Sequence, residues 1–133
     1  MKFEPKTEEQ IDAMFIIPDG TRCFCEVKEA GNHISKEGKE SIKLHLAIWE
    51  DATIRTYLDV YLTPAFMKLF KHAADAMLTQ EKYESGDIGP EDYEGKSCDC
   101  IIGIEKAKGN FKEKNYIKDF IKTDRLNDKD LPF

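Results

Sequence analysis

Three alternating runs place cations and aromatic rings at one parity: Arg22, Phe24 and Lys28, then Lys43, His45 and Trp49, then Arg55, Tyr57 and Tyr61. Residues two apart on a strand share a face, so each run would present Lys, Arg and rings to the same side. Single-stranded nucleic acid uses that combination, stacking its exposed bases on the rings and pairing its phosphates with the cations. Stacking contributes about 1 to 3 kcal/mol per base and tolerates any sequence. Two or three such rings therefore give useful affinity, and the single tryptophan, Trp49, is among them. The same rings also suit packing beneath residues 1–18, which carry Met14, Phe15, Ile16 and Ile17, or a subunit interface.

Further cations lie in the connections. Lys36 and Lys39 follow the first run. The stretch 105–122 holds Lys106, Lys108, Lys112, Lys114, Lys118 and Lys122 against Glu105, Glu113 and Asp119, with Phe111 and Tyr116 interleaved. A charge run of this kind also occurs as an ordinary solvated face.

Other chemistries find little support. The four cysteines form two C-x-C pairs, Cys23/Cys25 and Cys98/Cys100. Neither has the C-x-x-C spacing of a zinc knuckle. On strands they would face inward as small core residues, and a four-thiolate metal site is the alternative if the two strands are adjacent. His33, His45 and His72 are scattered, with no partner at a catalytic spacing. Gly89 to Lys96 resembles a phosphate loop but has five residues between its glycines where four are required, and Glu91, Asp92 and Glu94 would repel phosphate. No enzyme activity, cofactor or metal is expected.

The elements that would position the face follow from periodicity. After the Asp19-Gly20 turn, Cys23, Cys25 and Val27 alternate with polar residues as a first strand, and Gly31 and Gly38 bracket a polar loop. Strands at 42–49 and 54–62 place Ile42, Leu44, Leu46 and Ile48, then Ile54, Thr56, Leu58, Val60 and Leu62, inward. Thr63-Pro64 starts a helix carrying Phe66, Leu69, Phe70, Ala73 and Met77 at helical spacing. An acidic connection fills 81–95, and strands at 97–106 and 114–121 are joined by a Gly109-Asn110 hairpin. The order β-β-β-α-β-β predicts a mainly β protein, an OB-fold built as a five-stranded Greek-key barrel with one helix between strands three and four. Such folds clasp strands with the connections between strands one and two and between strands four and five, where the loop lysines lie. Residues 1–18 form an N-terminal arm, 19–121 the OB-fold domain and 122–133 a tail.

The last residues read Asp128-Lys129-Asp130-Leu131-Pro132-Phe133. A terminal ring and carboxylate preceded by acids suit a partner's apolar pocket with a basic rim. Here the chain resembles the single-stranded DNA-binding proteins of bacteria and their phages, whose tails end in Asp, a small aliphatic residue, Pro and Phe. The compact phage or prophage versions are the more similar. The resemblance implies a protein that coats single-stranded DNA largely without sequence preference during replication, recombination and repair. It also implies that Asp128, Asp130, Leu131, Pro132 and Phe133 recruit partner enzymes. Two features depart from that family: its long Gly, Pro or Gln-rich linker is missing, and Lys122, Arg125 and Lys129 offset the acids of the tail. An RNA-binding or protein-interaction OB module would share the barrel and the face, and self-association is left open.

Composition frames these expectations. The chain has 133 residues with 41% apolar and 35% charged residues, which suits one globular domain and is too apolar for a disordered chain. No run is long and apolar enough for a membrane helix, and the N-terminus lacks the apolar core of a signal peptide, so a cytoplasmic protein at the nucleoid or at phage replication sites is expected. The net charge of −6 argues against a polyanionic partner. Much of that negative charge sits at 81–95, away from the cationic stretch.

Overall fold

The structure is a computed structural model and describes residues 1–106 and 113–122. Five strands, β1 (Thr21–Ile34), β2 (Glu40–Glu50), β3 (Thr53–Leu62), β4 (Ser97–Glu105) and β5 (Lys114–Ile121), form one antiparallel sheet in the order β3-β2-β1-β4-β5. Helix α2 (Met67–Ala76) lies between β3 and β4 and packs on β5. This is a mainly β architecture consistent with an OB-like fold. The expected barrel is not closed: β3 and β5 approach each other, but no ladder joins them among the described residues.

The alternating apolar residues build the core as their periodicity requires. Cys23, Cys25 and Val27 from β1, Leu44, Leu46 and Ile48 from β2, and Cys98, Cys100 and Ile102 from β4 are all buried. Thr63-Pro64 opens a 3-10 turn, Pro64–Phe66, before α2, and the Thr63 side chain makes no cap to it. Helix α2 then buries Phe70, Ala73, Ala74 and Ala76.

Three features depart from the periodicity. The polar stretch from Gly31 is strand, so β1 runs to Ile34 and the turn is confined to the residues before Glu40. The arm contains helix α1 (Glu8–Phe15), started by reciprocal bonds between Thr7 and Gln10, a capping box. The acidic connection holds helix α3 (Gln80–Ser85), ended by Gly86 at φ 77°, and a 3-10 turn, Pro90–Asp92. The segment from Gly89 to Lys96, whose glycine spacing and acids rule out a phosphate loop, folds Tyr93 completely into the core. Backbone bonds from Val27 to Lys96 and from Gly95 to Val27 tie it to β1.

Candidate nucleic-acid interface

The outer face of β1, β2 and β3 is organised by two register shifts. Val27 pairs with Leu46, but the next pair is Glu29 with His45, leaving Lys28 as the extra residue. A one-residue bulge reverses which side chains face out. Beyond it, Glu29, Gly31 and His33 of β1 share the face of His45, Lys43 and Ser41 of β2. Lys28 stands exposed at the bulge and is paired with Glu26 at 2.9 Å. In the second shift, Trp49 lies opposite Ile54 and leaves Arg55 extra. Ile54 therefore shares the outer face with Trp49, contrary to the inward position its alternation suggests.

These shifts divide the face into a covered and an open half. In the covered half Phe24 is only 4% exposed, because it sits mid-sheet between Trp49 on one side and Asp99 on the other. It offers no open ring, which corrects its place among the stacking residues. Trp49 is half-buried, and Arg55 donates to the Met14 carbonyl at 2.9 Å, bringing the end of α1 against β3. The arm thus lies beside the tryptophan end of the sheet.

The open half carries the bare rings. Tyr57 is 50% and Tyr61 42% exposed. Tyr57 lies opposite Ala47, Asp59 opposite His45 and Tyr61 opposite Lys43. The His45 ring is parallel to that of Tyr57, with centroids 5.4 Å apart. His33 meets Tyr61 at 4.9 Å, and the Lys43 ammonium lies 5.8 Å from the Tyr61 centroid.

The cations of this face are already paired. Asp59 accepts from His45 at 2.7 Å and lies 3.7 Å from Lys43. Arg22 reaches Asp99 through both Nε and Nη2 at 2.8 Å, and Arg55 lies 3.5 Å from Glu50. Among the other expected cations, Lys39 is 3.7 Å from Glu37 and Lys114 3.5 Å from Glu105, while Lys36 and Lys106 are exposed. Exposed pairs of this kind are worth at most about 1 kcal/mol, so a phosphate can replace the carboxylate at small cost. Tyr116 belongs to β5, at the far end of the sheet order from β3, and its ring lies over Gly103. Lys108, Phe111 and Lys112, and the tip residues Asp128, Asp130, Leu131, Pro132 and Phe133, lie outside the described residues.

The four cysteines meet across β1 and β4, Cys23 opposite Cys100 and Cys25 opposite Cys98. All are buried free thiols, with Cys25 Sγ 3.8 Å from Cys98 Sγ. Burial, followed by the neighbouring Cys100, pushes the Cys23 thiol up to about 11. Hydrogen bonding to Cys25, reinforced by burial, raises Cys100 further. Cys23 and Cys100 are therefore held as neutral thiols, while metal binding requires thiolates. Among the described residues no group of three or more His, Cys, Asp or Glu is arranged to hold a metal ion, and no helix is long and apolar enough to cross a membrane.

Glu29, Gly31, His33 and Asp59 complete the open half and were not among the expected site residues. Asp59 was legible as an outward residue of its strand. The other three depend on the bulge at Lys28, which the alternation does not announce. No family model and no curated protein matches the chain.

Proposed function

We propose that this protein binds single-stranded DNA across the open face of β1, β2 and β3, with Tyr57 and Tyr61 stacking on bases. It is not an enzyme. The observation that carries the reading is the pair of half-exposed tyrosines flanked by His45, His33 and Lys43 on a face that the rest of the described chain leaves uncovered. Exposed rings gain nothing from water, whereas unstacked bases supply partners for them. Lys43, Arg22, Arg55, Lys39 and Lys114 exchange their carboxylates for phosphates on binding, and the other loop lysines add to them. The half-buried Trp49 and the buried Phe24 support the sheet beneath the strand. The finer fold assignment, an OB-fold, agrees with this use of the first three strands.

By its resemblance to phage and prophage single-stranded DNA-binding proteins, the chain coats exposed strands in replication or recombination, in the cytoplasm, and its Asp130-Leu131-Pro132-Phe133 tip recruits partner enzymes. Anisotropy titration of a labelled single-stranded oligomer against its duplex, with a ribo-oligomer of the same sequence as competitor, tests the reading. Preference for the deoxy single strand is expected. Equal affinity for duplex would refute it, and preference for the ribo-oligomer would make it an RNA-binding module, since the 2′-OH is the handle that separates the two.

A further inference from the structure

Gly31 occupies the centre of the open half, opposite Lys43 and between Glu29 and His33. Glycine weakens a strand because it orders more backbone and packs nothing. No packing conflict among the described residues demands it here: a Cβ on Gly31 would meet nothing within 4 Å of them, and its backbone is not in the left-handed region. A strand glycine marks a bulge, a tight bend or a place where a ligand or another backbone approaches closely, and the pairing with β2 is regular at Gly31, beyond the bulge at Lys28.

A recess of about 300 Å³ lies over this position, lined by Glu29, Gly31, His33, Lys43, His45 and Asp59. That volume is at the lower end of sites for small planar ligands. The tilted His33 and Tyr61 rings adjoin it, as does the parallel pair of His45 and Tyr57. The two carboxylates differ in state. Asp59 is held by His45 and Lys43, whereas Glu29 has no hydrogen-bond or ion-pair partner among the described residues.

A carboxylate only accepts hydrogen bonds. Cytosine presents an exocyclic amino donor where thymine presents a carbonyl oxygen, and in a single strand that edge is open. Thymine in the recess would set acceptor against acceptor. Resting on the single-strand reading above, we propose that the recess over Gly31 receives one base of the bound strand and that the Glu29 carboxylate selects bases bearing an exocyclic amino group, cytosine above thymine.

The test is competition between oligo-dC and oligo-dT of one length at one salt concentration. Stacking alone is sequence-tolerant and gives a ratio near one, whereas one carboxylate-to-amino bond gives about a tenfold preference for dC. In Glu29→Gln the amide both donates and accepts, so the ratio falls to within about twofold. In Gly31→Val the recess is filled by a strand-forming side chain, and the preference disappears while the fold is retained. A wild-type ratio near one or favouring dT overturns the inference, as does a dC preference that survives either substitution. In those cases both oligomers still bind and the single-strand reading stands. Failure to bind either oligomer overturns that reading and this inference together.

Discussion

The imidazole of His45 is stacked parallel to the phenol ring of Tyr57, with 2° between the ring planes and centroids 5.4 Å apart, while its Nδ1 is 2.7 Å from Asp59 Oδ1. A ring of the open face is thus braced by a stacked imidazole, and the brace is fixed by a carboxylate that also lies 3.7 Å from Lys43. Asp59 has two opposed effects on a polyanion: it orients the aromatic platform and neutralises the nearest cation.

Asp59→Asn separates these effects. The amide keeps a hydrogen-bond acceptor for His45 and releases Lys43 for phosphate. Affinity for a single-stranded oligomer should rise about threefold to tenfold at low salt, with the slope of log K against log salt steeper by about 0.7 for the added phosphate contact. Titrations at several salt concentrations measure both. Weaker binding with an unchanged slope would mean that orientation of His45 matters more than release of Lys43.

Tyr93 is the largest fully buried side chain of the structure and fills the core from the segment between α3 and β4. Tyr93→Ala should cost about 3 to 5 kcal/mol, as truncation of large core rings does. Chemical denaturation gives the value directly. A loss below about 1 kcal/mol would show that the surrounding core closes over the space.

The thiol cluster makes stability pH-dependent on the alkaline side. Cys23 is raised from 9.0 to about 11, so the folded state holds a proton that the unfolded chain releases. Its stabilising contribution is fully present below about pH 9 and is lost as pH rises through 11, amounting to about 2 to 3 kcal/mol. Denaturation midpoints between pH 8 and 11 should fall less steeply in Cys23→Val, which has no proton to release. In the native protein at neutral pH a thiol-specific reagent should label the four cysteines slowly, and all of them on unfolding.

The sequence made some of this legible and not the rest, for identifiable reasons. Strict alternation from Ile42 to Ile48 and from Leu58 to Leu62 located β2 and most of β3, because each buries one face against a single core. The Thr63-Pro64 start and the C-x-C pairs were equally readable. Gly31 looked like a loop residue, since glycine and polar neighbours carry no strand signal, yet β1 continues through it to Ile34 on hydrogen bonds with β2. Phe24 had the outward parity of Arg22 but is buried because central strands can be covered on both faces. The extra residues Lys28 and Arg55 reverse parity without any mark in composition, which hid Glu29 and His33 and moved Ile54 outward. Helix α1 did have a signal, the Thr7-Glu8-Glu9-Gln10 capping box, within an arm whose composition otherwise decides little.

The most direct test of the central claim is the affinity of the double variant Tyr57→Ala/Tyr61→Ala for a single-stranded DNA oligomer, beside its melting temperature. Both rings are half exposed, so melting should change little, while loss of two stacking partners should weaken binding by about thirtyfold or more. An affinity equal to that of the wild-type protein, in a variant that melts normally, would contradict the assignment of this face to single-stranded DNA.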